Sequence, residues 1–123
     1  MSKKIGEIIR EIRNEKGISL RKLAEIVDVS NVNILYIEKG RINTSLPVLK
    51  GIAQALNYNI DKLLAFADMV DDDIRNIINK RPVLITNFLR AAKNLNNNDW
   101  KILTEKIINN ELNLKVSKGI KNA

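Results

Sequence analysis

The stretch from Ser19 to Gly40, SLRKLAEIVDVSNVNILYIEKG, leaves room for two short helices and a turn so tight that a helix-turn-helix is the arrangement it admits. Ser19 is placed to cap the first helix, and Ala24 stands where a second helix must cross closely. Asp28-Val29 breaks the run. Ser30 then caps a second helix that stops at Gly40. A helix presented in this way is suited to entering the major groove of DNA, so the segment bears on function as well as on fold.

The apolar spacing around this segment is helical throughout. Ile5, Ile8, Ile9 and Ile12 share one helix face that ends at Lys16-Gly17. Leu20, Leu23, Ile26 and Val27 are expected to face inward on the first motif helix. A fourth helix starts near Ser45, tolerates Pro47 in its first turn, and carries Leu46, Leu49, Ile52, Ala53 and Leu56. A fifth runs from an Asn59 cap through Ile60, Leu63 and Leu64 to about Ala67. The acidic run Asp71-Asp72-Asp73 suits a helix N-terminus, and Ile74, Ile77 and Ile78 mark a short helix ending before Pro82. Another carries Leu84, Ile85, Phe88, Leu89 and Ala92. The cluster Asn96-Asn97-Asn98 reads as a turn. The final helix carries Trp100, Leu103, Ile107 and Ile108, capped by Asn98 or Asp99. The basic end from Lys115, KVSKGIKNA, has no periodicity and is expected to be disordered.

Charge and composition narrow the function classes. The 123 residues include 21 basic and 14 acidic ones, a net charge of +7, which supports a polyanionic partner. The chain has no cysteine and no histidine, which removes disulfides, thiolate metal sites, the commonest metal ligand and the commonest general base. No metal, no cofactor and no enzymatic activity are expected. Charges recur at every turn of the N-terminal helix, unlike a signal peptide, and no apolar run approaches the ~20 residues needed to span a bilayer. A soluble, cytoplasmic protein without membrane attachment is expected.

From Ile5 to Leu64 the chain resembles the five-helix domain of lambdoid phage repressor and Cro proteins, the XRE-like family. The resemblance rests on IGEIIREIRNEKGIS, LAEIVDVS, IEKGRINTSL and LKGIAQALNYNIDKLL, in the family's order and spacing. It implies that the start of the second motif helix reads base edges, here through Asn31, Val32 and Asn33, with Tyr36 one turn later. The helical wheel independently turns Ile34 and Ile37 inward and Val32, Leu35, Tyr36 and Lys39 outward. Asn can bond adenine through two contacts, and a small apolar side chain can meet the thymine methyl. Phosphate contacts are implied for Ser19, Arg21, Lys39, Arg41 and Asn43, with backbone N–H groups near Ser45. Leu20 departs from the family, which usually has a phosphate-contacting Gln there; Arg21 or Lys22 could take over that contact. Arg13 and Glu38 match a family ion pair between the first helix and the recognition helix.

The expected fold is all-α: a five-helix, lambda-repressor-like DNA-binding domain over residues 1–67, a C-terminal helical hairpin over 68–114, and a basic tail over 115–123. Two amphipathic helices joined by a short turn favour an antiparallel hairpin. Such a hairpin cannot hide its own apolar faces, so Leu84, Phe88, Leu89, Trp100, Leu103 and Ile107 are candidates for an oligomer interface. The layout is similar to that of Sin-type repressors, whose C-terminal helices mediate oligomerisation and regulator binding. The function expected is sequence-specific DNA-binding transcriptional regulation, as a repressor holding a two-fold-symmetric operator on double-stranded DNA as a homodimer. A second reading is a protein-interaction module of antitoxin or anti-repressor type, whose C-terminal helices bind a regulatory protein.

Overall fold

A computed structural model describes residues 3–115 of the chain. The basic end expected to be disordered lies, apart from Lys115, outside the described residues. Among those residues the regular structure is entirely α-helical: α1 (Lys3–Glu15), α2 (Leu20–Val27), α3 (Asn31–Glu38), α4 (Leu46–Ala55), α5 (Ile60–Phe66), α6 (Asp72–Lys80), α7 (Pro82–Ala91) and α8 (Asn97–Ile108). The chain divides into two compact units, Met1–Ile77 and Ile78–Ala123, with the boundary inside α6.

In the first unit, short polar side chains set where each helix begins. Ser19 Oγ accepts from Lys22 N at 3.0 Å, Ser30 Oγ from Asn33 N at 3.0 Å, Ser45 Oγ from Val48 N at 3.4 Å, and Asn59 Oδ1 from Lys62 N at 2.9 Å. Each bond satisfies a donor that the first helical turn leaves without a backbone partner. The turn between α2 and α3 passes through Asp28 at φ +63°, and Val29 N returns to Ala24 O at 3.0 Å. Gly40, at φ +69°, ends α3 in the same left-handed manner.

The core forms where these helices meet. Ile5 and Ile9 of α1, Leu23 of α2, Ile34 and Ile37 of α3, Leu49 and Ile52 of α4, Leu56, and Leu63 and Leu64 of α5 are all fully buried. At about 1.5–3 kcal/mol for each such side chain, this shared core is what holds α3 in place. Gly6 has a specific part in it. A Cβ there would collide with the carbonyl oxygens of Ile37 and Glu38, so α1 touches the end of α3 backbone to backbone. Ile26 departs from expectation: it is 50% exposed. In a helix as short as α2 the buried stripe is narrow, and Leu23 and Ala24 occupy it.

The first unit continues past Ala67. Lys50 Nζ on α4 lies 3.0 Å from Asp71 Oδ1, and the same oxygen accepts from Asp72 N at 2.7 Å, which ties the start of α6 to α4. The hydrogen bond from Lys50, reinforced by that of the Asp72 amide, lowers the Asp71 carboxyl below its ordinary pKa, and the same bond raises Lys50 above its own.

In the second unit, α7 begins with Pro82, whose missing N–H costs nothing at that position. The cap of α8 is Asn96, whose Oδ1 accepts from Asp99 N at 2.8 Å, not Asn98 or Asp99 as the sequence suggested. Of the successive Asx residues, Asn96 has the extended backbone of a cap (ψ 173°), while Asn97 and Asn98 already belong to the helix. Phe88 of α7 and Trp100 of α8 meet edge to face, ring centroids 6.4 Å apart. Ala92 is the one buried apolar side chain among the described residues of this unit.

Candidate nucleic-acid interface

The motif helix α3 has two faces with different tasks. Ile34 and Ile37 anchor it in the core. On the other side Asn31 is exposed, Val32 is 54% exposed and Tyr36 is 38% exposed. Asn33 is half-buried, and its backbone N–H serves the Ser30 cap, leaving its side-chain amide uncommitted. These side chains occupy the first turns of a short, rigidly seated helix, with Asn31 and Val32 at its very start. Leu35, expected to point away, is instead half-buried and lines a cleft together with Leu20, so the outward apolar patch is Val32 and Tyr36.

The buried Arg13–Glu38 pair holds the far end of α3. Arg13 Nε donates to Glu38 Oε2 at 2.7 Å and Nη2 to Oε1 at 3.0 Å, while Nη1 donates to the Ile18 carbonyl at 3.0 Å. Only 11% of the Arg13 side chain and 3% of the Glu38 side chain are exposed. The hydrogen bonds to Glu38 raise the guanidinium above its ordinary pKa, against the opposing effect of burial and with the help of charge attraction. All three guanidinium nitrogens of Arg13 donate, and α1, α3 and the loop before α2 are joined at one point.

The residues proposed to meet phosphate lie on either side of α3 in sequence. Ser19 and Arg21 are exposed at the start of α2; the Ser19 oxygen accepts the cap bond, and its hydroxyl proton remains available. Arg21 lies 3.9 Å from Glu25 with both side chains largely in solvent, a contact worth at most a few tenths of a kcal/mol and readily exchanged for another anion. Lys39, Arg41 and Asn43 are exposed in the segment leaving α3. The Arg41 guanidinium lies over the Tyr36 ring, 5.8 Å from its centroid, so a base-facing candidate and a phosphate-facing one form a stacked pair. That stacking crosses the turn between them and is invisible in the sequence spacing. Leu20 is half-buried and has no donor to offer.

Comparison with known proteins gives the family to which these five helices belong. A helix-turn-helix family model matches residues 9–63, the span from α1 into α5. An uncharacterised HTH-type transcriptional regulator of Archaeoglobus fulgidus is 38% identical over 60 residues, covering 49% of this chain and 86% of that protein. The chain belongs to the XRE-like helix-turn-helix family of transcriptional regulators. The HTH-type transcriptional regulator DdrOP3 of Deinococcus deserti is 30% identical over 69 residues, 56% of this chain and 54% of that one. Among solved structures, the clp gene regulator ClgR from Corynebacterium glutamicum is 25% identical and superposes with a TM-score of 0.50, covering 72% of this chain and 90% of that one. The family match runs from within α1 to within α5 and stops before the second unit.

The described residues contain no group of three or more His, Cys, Asp or Glu placed to hold a metal ion. Among them no helix is long and apolar enough to cross a membrane. In the second unit, Leu84 is 68% exposed, Phe88 and Leu89 46% each, and Ile107 36%, while Trp100 and Leu103 are half-buried. Of these candidate interface residues, Phe88 and Trp100 are in ring contact.

Proposed function

We propose that the protein is a repressor that binds a two-fold-symmetric DNA operator as a homodimer, with α3 as its reading helix. The observation that carries this reading is the split character of α3: Ile34 and Ile37 are locked in the core and Glu38 is buried against Arg13, while Asn31, Val32 and Tyr36 are presented outward. An exposed Val and Tyr beside Asn is an uneconomical surface for water and a suitable one for base edges and the thymine methyl. Lys39, Arg41, Asn43, Ser19 and Arg21 surround this face with phosphate partners, in keeping with the +7 net charge. Repression follows from occupancy of a site overlapping a promoter, in the cytoplasm and without chemistry.

Dimerisation is assigned to α7 and α8. Their exposed Leu84, Phe88 and Leu89 need a cover, and a second copy supplies one while setting two reading helices about 34 Å apart on one face of the duplex. The same faces also suit a regulatory protein that would compete with the second copy.

Asn31→Ala and Val32→Ala test base reading. Each is expected to weaken operator binding by about 1–3 kcal/mol, with random duplex binding and folding nearly unchanged. Equal losses on operator and random DNA would contradict a reading role for these residues.

A further inference from the structure

The basic residues near the end of α3 are not equivalent. Arg13 is engaged by Glu38 and the Ile18 carbonyl through all three guanidinium nitrogens. Arg10, one turn earlier on α1, is exposed and has neither an ion-pair nor a hydrogen-bond partner among the described residues. It lines a cleft with Lys39 and Arg41, walled also by Glu7, Glu38 and Gly40. It lines a second, adjoining cleft whose apolar side is made by Leu20 and Leu35 and which again includes Lys39.

Three cations therefore converge where α1 crosses the end of α3. Of the two carboxylates there, Glu38 is already neutralised by Arg13, so only Glu7 opposes them. Like charges lining one cleft favour an anion shared between them. The crossing is fixed, because Gly6 sits against the carbonyls of Ile37 and Glu38, one helical turn before Arg10. Leu20 cannot donate to an anion beside α2, whereas Arg10, from across the shared cleft, has a planar fork of donors suited to a phosphate.

We propose that Arg10 is a DNA-phosphate contact, closing with Lys39 and Arg41 a cationic cleft between α1 and the end of α3 that grips the strand bordering the major groove. This rests on the DNA-binding reading above and extends the protein's phosphate contacts to α1. A phosphate contact adds affinity without sequence preference and is lost with salt.

The test is the salt dependence of duplex binding by the full chain, for wild type, Arg10→Ala and Arg10→Lys, on a selected operator and on a scrambled duplex of equal length. Arg10→Ala should reduce the slope of log K against log salt by about 0.9 for each half-site occupied, on both duplexes, so that a fourfold rise in salt costs the variant about 3.5-fold less affinity per half-site than it costs the wild type. Arg10→Lys should keep the wild-type slope. Thermal unfolding should be the same in all three, because Arg10 is exposed and unpartnered. A wild type that discriminates operator from scrambled DNA beside an Arg10→Ala variant of unchanged slope would overturn the assignment of Arg10 alone. A wild type with no salt-dependent duplex binding would overturn the DNA-binding reading and this assignment with it.

Discussion

Glu38→Ala should be among the most damaging single changes in the first unit, although Glu38 is polar and outside the apolar core. Its two carboxylate oxygens accept from Arg13 at 2.7 and 3.0 Å. Without them Arg13 keeps one bond, to the Ile18 carbonyl, in a site where only 11% of its side chain reaches water. A buried charge stripped of its partner in this way costs about 3–5 kcal/mol, a large share of the 5–15 kcal/mol that typically holds a domain folded. Taking the lower figure and roughly 4–8 °C per kcal/mol for a unit of this size, the melting temperature should fall by at least about 12 °C. The double variant Arg13→Met, Glu38→Leu should recover most of the loss, because it removes both charges and fills the same space. Urea unfolding of wild type, Glu38→Ala, Arg13→Met, Glu38→Leu and the double variant, followed by circular dichroism, gives the single cost and closes the cycle. A Glu38→Ala cost below about 1 kcal/mol, the range of solvated surface pairs, would refute the reasoning.

Arg41→Ala should weaken binding to every duplex and lower the salt slope by about 0.9 for each half-site, read by fluorescence anisotropy across a salt series; an unchanged slope would assign Arg41 to Tyr36 stacking only. Asp71 has its folded pKa depressed by Lys50, so its contribution to stability is fully present above the unfolded carboxyl value of about 3.9 and is lost as pH falls through the lower folded value. Lys50, raised by the same contact, contributes below its unfolded value and loses that contribution as pH rises through the raised one. Asp71→Asn should therefore flatten the acid side of the stability–pH curve, and a curve superimposable on the wild type would remove the pair from the account. Leu84→Asp should produce monomers and a collapse of operator affinity by placing an unpaired charge in the dimer contact, at a residue so exposed that the hairpin itself loses little. Light scattering at matched concentration decides it: a wild-type monomer, or a variant dimer with normal operator binding, would take α7 and α8 out of the assembly.

The features legible in the sequence were those fixed by local chemistry. Ser19, Ser30, Ser45 and Asn59 cap the helices that their positions announce, and the apolar spacing of Ile5, Ile9, Leu49 and Ile52 marks the buried face directly. Errors arose where several residues could do the same local task. Asn96, Asn97, Asn98 and Asp99 are all competent caps, and backbone conformation selects the first. Ile26 and Leu35 were misplaced because a helix as short as α2 or α3 has a buried stripe that periodicity alone resolves poorly, and neighbours such as Leu20 decide the remainder. Long-range contacts left no trace in the spacing. The requirement for glycine at position 6, the Lys50–Asp71 tie and the cleft shared by Arg10, Lys39 and Arg41 all depend on how helices cross.

The central claim is that α3 reads a specific duplex sequence. Selection from a random duplex library by the full chain, followed by footprinting of the recovered sequence, tests it most directly. The account predicts one enriched motif with two inverted half-sites about 34 Å apart centre to centre, protected on one face of the duplex, and lost from the enrichment when Asn31 and Val32 are both replaced by Ala. A library that emerges without an enriched motif, or a motif unaffected by those two substitutions, would contradict it.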